Sequence, residues 1–168
     1  VLAAQQMALP MVYGTTRALP EFQAQPEGFR REVRRQTMGQ TVAQIRRTQA
    51  FAAVYQDLLI QGIRPVVVKG LICRDLYPSP EQRISGDEDL LLDPESFFRC
   101  VKLLEQRGME LVSGGEMPEG DAALLDRKTG LYLELHPDRT TKQDVGNGGL
   151  EHFLNGQPTG PFPCSVRE

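Results

Sequence analysis

The chain has no tryptophan, only two histidines and only three cysteines in 168 residues. Two histidines cannot build a His-rich zinc centre. Cys73, Cys100 and Cys164 are odd in number and far apart, with no Cys-x-x-Cys. That excludes a disulfide framework and a thiolate zinc site, and suits reduced thiols in a cytoplasm. No apolar run approaches the roughly 20 residues that span a bilayer, and the N-terminus lacks a basic-then-apolar signal pattern. A membrane partner is therefore not expected. The net charge of −3 offers no general basic excess, which argues against wholesale nucleic-acid coating. Gly146-Asn147-Gly148-Gly149 lacks the preceding strand, following helix and lysine of a phosphate-binding loop, so it reads as a mobile loop.

Against these absences stand 40% apolar and 24% charged residues, globular values in a length that suits one domain. The most informative segment is Arg83-Ile84-Ser85-Gly86-Asp87-Glu88-Asp89-Leu90-Leu91-Leu92. Strand side chains alternate with period two, so Asp87 and Asp89 share a face if Asp87 opens the strand. Two carboxylates that close repel unless a cation lies between them, and hard oxygen ligands suit Mg²⁺ (or Mn²⁺). An acidic turn ahead of a strand is the plain alternative for an isolated Asp-x-Asp.

Two further segments bear on that choice. Val66 to Val68 reads as a buried strand that breaks at Lys69-Gly70 into apolar residues at helical spacing. Such a junction gathers backbone N–H groups at one point and favours phosphate. In Gly130-Leu131-Tyr132-Leu133-Glu134-Leu135-His136-Pro137 the leucines share one face, while Tyr132, Glu134 and His136 share the other. Beside Asp87 and Asp89, Glu134 would complete a three-carboxylate cluster able to hold a divalent ion and act as general base. His136, at a strand end before Pro137, reads as a structural hydrogen-bonding group.

Val68-Lys69-Gly70 with its short helix ending in Tyr77, then Arg83, Gly86-Asp87-x-Asp89 and Leu133-Glu134-Leu135-His136, resembles the uncharacterised nucleotidyltransferase family of the DNA polymerase β-type superfamily. The resemblance covers about Val42 to Pro137. It implies an α/β (α+β) fold, a small mixed sheet flanked by helices. It also implies Asp87, Asp89 and Glu134 as catalytic metal ligands, and Gly70 at the turn that holds a nucleoside triphosphate. Lys69 would belong to the nucleotide-binding set. Arg83 either meets triphosphate charge or neutralises the acidic cluster. The chain departs from the superfamily's pattern at Leu71, where Gly or Ser is usual, at Glu88, where an apolar residue is usual, and in the long gap from Gly70 to Asp87. Glu88 either reaches solvent or pairs with a base such as Arg83 or Lys69.

The expected function is transfer of a nucleoside monophosphate from an NTP to an unknown acceptor. The competing class is a catalytically inactive module of the same fold that binds a protein or nucleotide. A metal-dependent phosphodiesterase would need more His and carboxylate ligands. The expected division is an irregular helical arm over 1–36, a core over 37–140 and a flexible tail over 141–168. The start at Val1 and the end at Glu168 suggest a fragment, because members of the resembled family continue into a helical C-terminal region. Thr41 to Gly62 is the strongest helix, with Ile45, Ala52, Tyr55 and Leu59 repeating on it, joined by Phe51, Val54 and Leu58. Asp93-Pro94-Glu95 starts a second helix closed by Gly108. Met109 to Val112, Ala123 to Asp126 and Leu131 to Leu135 read as strands. Arg30, Arg31, Arg34, Arg35, Arg46 and Arg47 form a basic cluster whose default reading is a solvated helix face, with phosphate or RNA contact as the alternative.

Overall fold

The structure is a computed structural model that describes residue 3 and residues 7–114 and 120–138. The readings made for Asp144 to Gly149, Cys164 and the tail over 141–168 lie outside the described residues. Among the described residues the elements run in order α1 (Leu9–Thr16), α2 (Pro20–Gln23) and α3 (Glu27–Ile60). Then follow β1 (Val66–Val67), α4 (Leu71–Asp75), a 3-10 turn at Pro80–Gln82, β2 (Glu88–Leu92), α5 (Pro94–Gln106), β3 (Glu110–Gly114), β4 (Ala122–Asp126) and β5 (Leu131–Pro137).

The long helix departs from the sequence expectation. α3 starts directly after Pro26, not at Thr41, and runs through position 36 without a break. Pro10, Pro20 and Pro26 all stand at helix starts, where a missing N–H costs nothing. Between Glu27 and Thr41 the chain is rich in Arg, Glu and Gln, good helix formers, with a Glu32–Arg35 pair one turn apart. The inward face also differs. Phe51, Val54 and Leu58 are buried together with Thr37 and Gln44, whereas Ile45 and Leu59 are exposed. Polar residues at two inward positions disguise the buried stripe, which a hydrophobic pattern alone cannot register. At its C-terminus, Gly62 N–H reaches Leu59 O and Ile63 N–H reaches Leu58 O, a Schellman closure that turns Ile63 into the core. The same pair of bonds, Gly108 to Glu105 and Met109 to Leu104, closes α5. At the other end of α5, Asp93 accepts the Ser96 N–H, with Pro94 in the first turn.

The sheet order is β1-β2-β5-β4-β3. β2 and β5 are parallel and the other neighbouring pairs antiparallel, so the sheet is mixed. One face carries Leu90, Leu92, Leu124, Leu131, Leu133 and Leu135, packed with Phe51, Val54 and Leu58 of α3 and Phe97, Cys100, Val101 and Leu104 of α5. Burial pushes the Cys100 thiol up to about 12, so it packs as a small apolar group. The strict alternation of β5, leucines buried and Tyr132, Glu134 and His136 half-buried, leaves the other face for polar chemistry.

Leu133 lies on β5 between β2 and β4 with no exposed surface. Leu133→Ala is expected to lower unfolding free energy by about 2–5 kcal/mol, read from urea denaturation. An unchanged midpoint would place Leu133 outside the stabilising core.

Candidate functional site

The parallel register of β2 and β5 aligns Asp89 with Glu134 and Leu91 with His136. Paired residues of neighbouring strands point to the same face, so the alternation of each strand and their register together bring these groups to one side of the sheet. Asp89, Glu134 and His136 each offer a ligand atom within 4.8 Å of the others. Asp89 is fully buried. Its Oδ1 receives Lys69 Nζ at 3.1 Å and lies 3.2 Å from His136 Nε2. Its Oδ2 has no hydrogen-bond partner among the described residues.

Lys69 reaches Asp89 from the turn after β1, and Val68 N–H bonds the Asp89 carbonyl at 3.1 Å, which ties that turn to β2. The Lys69 ammonium is held above its ordinary pKa by the hydrogen bond to Asp89, then by the charges of Asp89, Asp87 and Glu134. All three predicted carboxylates thus act on one cation. Asp87 nevertheless stands one residue ahead of β2 and outside the group of three ligand residues. His136, assigned a structural role from sequence, stands inside it. The signal was present in the shared face of Glu134 and His136. Asp121, which sequence reasoning missed, places Oδ2 3.4 Å from His136 Nδ1.

The glycine turn is built differently from the sequence expectation. Gly70 has φ +62°, a backbone that side chains rarely adopt, and a Cβ there would run into the Glu88 carboxylate. Glu88 Oε2 accepts the Leu71 N–H at 2.7 Å. Its other oxygen pairs with Arg74, and both side chains are almost wholly buried. The partner of Glu88 is therefore neither solvent nor Arg83 nor Lys69. Glu88 shares its face with Leu90 and Leu92, toward the helices, and the first helical turn after Gly70 projects Arg74 there. Arg74 also donates to Ser85 Oγ, and Gln44 of α3 accepts from both Ser85 N–H (3.1 Å) and Arg47 (2.9 Å). Burial pushes the Glu88 carboxyl up, and the Arg74 hydrogen bond and charge and the Leu71 N–H pull it back.

Arg83 lies with its guanidinium 5.6 Å from the centre of the Tyr77 ring, a cation–π contact. The basic cluster of α3 divides: Arg35 pairs with Glu32, Arg30 donates to Gln23, and Arg47 joins the buried network. Burial, and then the charge of Arg74, lowers the Arg47 pKa. Among the described residues no helix is long and apolar enough to cross a membrane.

A five-stranded mixed sheet with helices, bearing an acidic centre at the junction of two parallel strands and a strand–glycine–helix turn beside it, has the architecture of a nucleotidyltransferase fold. The chain belongs to the uncharacterised nucleotidyltransferase family, whose model matches residues 1–159. No curated protein and no solved structure matches it.

The Arg74–Glu88 pair yields a stability test. Arg74→Met strands a buried carboxylate and is expected to cost about 3–5 kcal/mol near pH 7. With Arg74 gone, the folded pKa of Glu88 lies above its ordinary 4.5, so the variant is most stable below that value and loses stability as pH rises through the folded pKa. Its deficit against wild type therefore grows from pH 4 to pH 7 in urea titrations. Arg74→Met with Glu88→Leu is expected to recover most of the loss. A pH-independent deficit would mean that Glu88 is not the group left unpaired.

Proposed function

We propose that the chain transfers a nucleoside monophosphate from an NTP to an acceptor hydroxyl or phosphate, using the centre of Asp87, Asp89 and Glu134. The observation that carries this reading is the Asp89 carboxylate, fully buried, with one oxygen facing Lys69 and His136 and the other without a hydrogen-bond partner among the described residues. A buried carboxylate oxygen without a partner is costly, and a cation shared with Glu134 would remove that cost. The donor set fits: carboxylate oxygens on rigid strands suit Mg²⁺ or Mn²⁺, with Asp89 and Glu134 at its centre and Asp87 at its edge. Such a cation would supply charge screening of the triphosphate and a template for in-line displacement.

The protein side of the reaction then falls to named groups. Lys69, exposed over most of its side chain, neutralises Asp89 in the free protein and is free to swing to the triphosphate. Arg83, on Tyr77, supplies a second cation for phosphate oxygens. At Gly70 the Glu88 carboxylate fills the space a side chain would take. Because the Leu71 N–H is engaged by Glu88, the phosphates rely on these side chains more than on the helix start. Glu134, half-exposed beside Asp89, is placed to accept the acceptor's proton.

The same Glu88 contact favours a second reading, an inactive module of this fold that binds a protein or nucleotide partner. Calorimetric titration with Mg·NTP decides between them. Wild type is expected to bind, and Asp89→Asn to bind at least about tenfold more weakly with an unchanged unfolding midpoint. Equal affinities would remove the carboxylates from the site, and no binding to either protein would favour the module.

A further inference from the structure

His136 is the one nitrogen ligand within the cluster of Asp89 and Glu134, and its two ring nitrogens face different carboxylates. Nδ1 lies 3.4 Å from Asp121 Oδ2, while Nε2 lies 3.2 Å from Asp89 Oδ1 and 3.9 Å from Glu134 Oε2. A neutral imidazole carries one N–H and one lone pair. If Asp121 accepts the Nδ1 hydrogen, the Nε2 lone pair points at the oxygens of two further acids. Lone pairs directed at one another repel unless a proton or a metal cation lies between them. A carboxylate that fixes the far nitrogen of a histidine, leaving the near nitrogen free for a metal, is the recurrent outer-shell arrangement of metal-binding histidines. The buried Asp89 Oδ2, which has no hydrogen-bond partner among the described residues, is an independent sign: Lys69 meets Oδ1 and leaves this second oxygen open to a further cation.

We propose that His136 Nε2 is a direct ligand of the divalent ion, with Asp121 as the residue that positions it. The inference rests on the metal-centre reading above and sharpens it. Carboxylates alone suit Mg²⁺, whereas an imidazole shifts preference toward first-row transition cations. The centre therefore takes Mn²⁺ in preference to Mg²⁺. Its donor set is Asp89, Glu134 and His136.

The test uses the full chain, with Mn²⁺ and Mg²⁺ alone as probes and no turnover. Affinities come from calorimetry, and pulsed electron paramagnetic resonance of the Mn²⁺-loaded protein reads imidazole nitrogen coupling. Wild type is expected to bind Mn²⁺ at least about tenfold tighter than Mg²⁺ and to show the nitrogen signal. His136→Ala should lose that signal and bind Mn²⁺ at least about tenfold more weakly, with Mg²⁺ affinity moved less than about threefold. Asp121→Asn should keep the signal and weaken Mn²⁺ by about tenfold. Circular dichroism checks that each variant is folded, and the His136 variant controls for His152. Mn²⁺ bound without nitrogen coupling, or a signal that survives His136→Ala, would overturn the proposal while leaving a carboxylate-only centre. Absence of Mn²⁺ and Mg²⁺ binding in wild type would overturn both.

Discussion

The parallel pairing of β2 with β5 is the constraint on which the rest of the molecule depends. It aligns Glu88 with Leu133 and Asp89 with Glu134, so two adjacent acids of one strand are delivered to opposite faces of the sheet. On the polar face, Asp89 is forced beside Glu134, with Lys69 balancing its charge and His136 Nε2 3.2 Å from its Oδ1. On the helix face, Glu88 enters a layer of leucines and survives only because Arg74 meets it. A one-residue slip of register would exchange these environments and leave both acids unpaired.

The Glu88–Arg74 pair also organises the approach to the site. Taking two charges out of water costs more than an exposed pair returns, so such a pair is retained only with further hydrogen bonds around it. Here the Leu71 N–H, Ser85 and Gln44 supply them, joining the glycine turn, the segment before β2 and the middle of α3 into one network. The network explains why α3 buries Gln44 among apolar residues. It also gives Gly70 a steric reason, because the Glu88 carboxylate occupies the space where a side chain would stand.

Much of the frame was legible in the sequence because it is periodic. The alternation of Leu131 to Pro137, the Asp93-Pro94 helix start and the Gly62 and Gly108 stops are local signals, and each element formed where its signal lay. The convergence of Asp89 with Glu134 follows from matched alternation on two neighbouring strands, whereas Asp87, expected beside them, stands one residue ahead of β2 and outside the ligand group. What was not legible depends on tertiary contacts. The α3 face was misjudged because Thr37 and Gln44 are polar yet inward. Glu88 does pair with a base, as one of its two readings expects, but that base is Arg74 rather than Arg83 or Lys69, and in the sequence Arg74 looks like an ordinary charge on a short helix. Asp121 gave no signal, since its meaning comes only from β4 lying beside β5.

The central claim is that the acids of β2 and β5 with His136 hold a divalent cation for work on a nucleoside triphosphate. The most direct measurement is anomalous diffraction at the manganese edge from crystals soaked with Mn²⁺ and a non-hydrolysable NTP. The account predicts an anomalous peak within coordination distance of Asp89 Oδ2, Glu134 and His136 Nε2, with triphosphate density running toward Lys69. Density for the nucleotide elsewhere, or no manganese peak between these side chains, would contradict it.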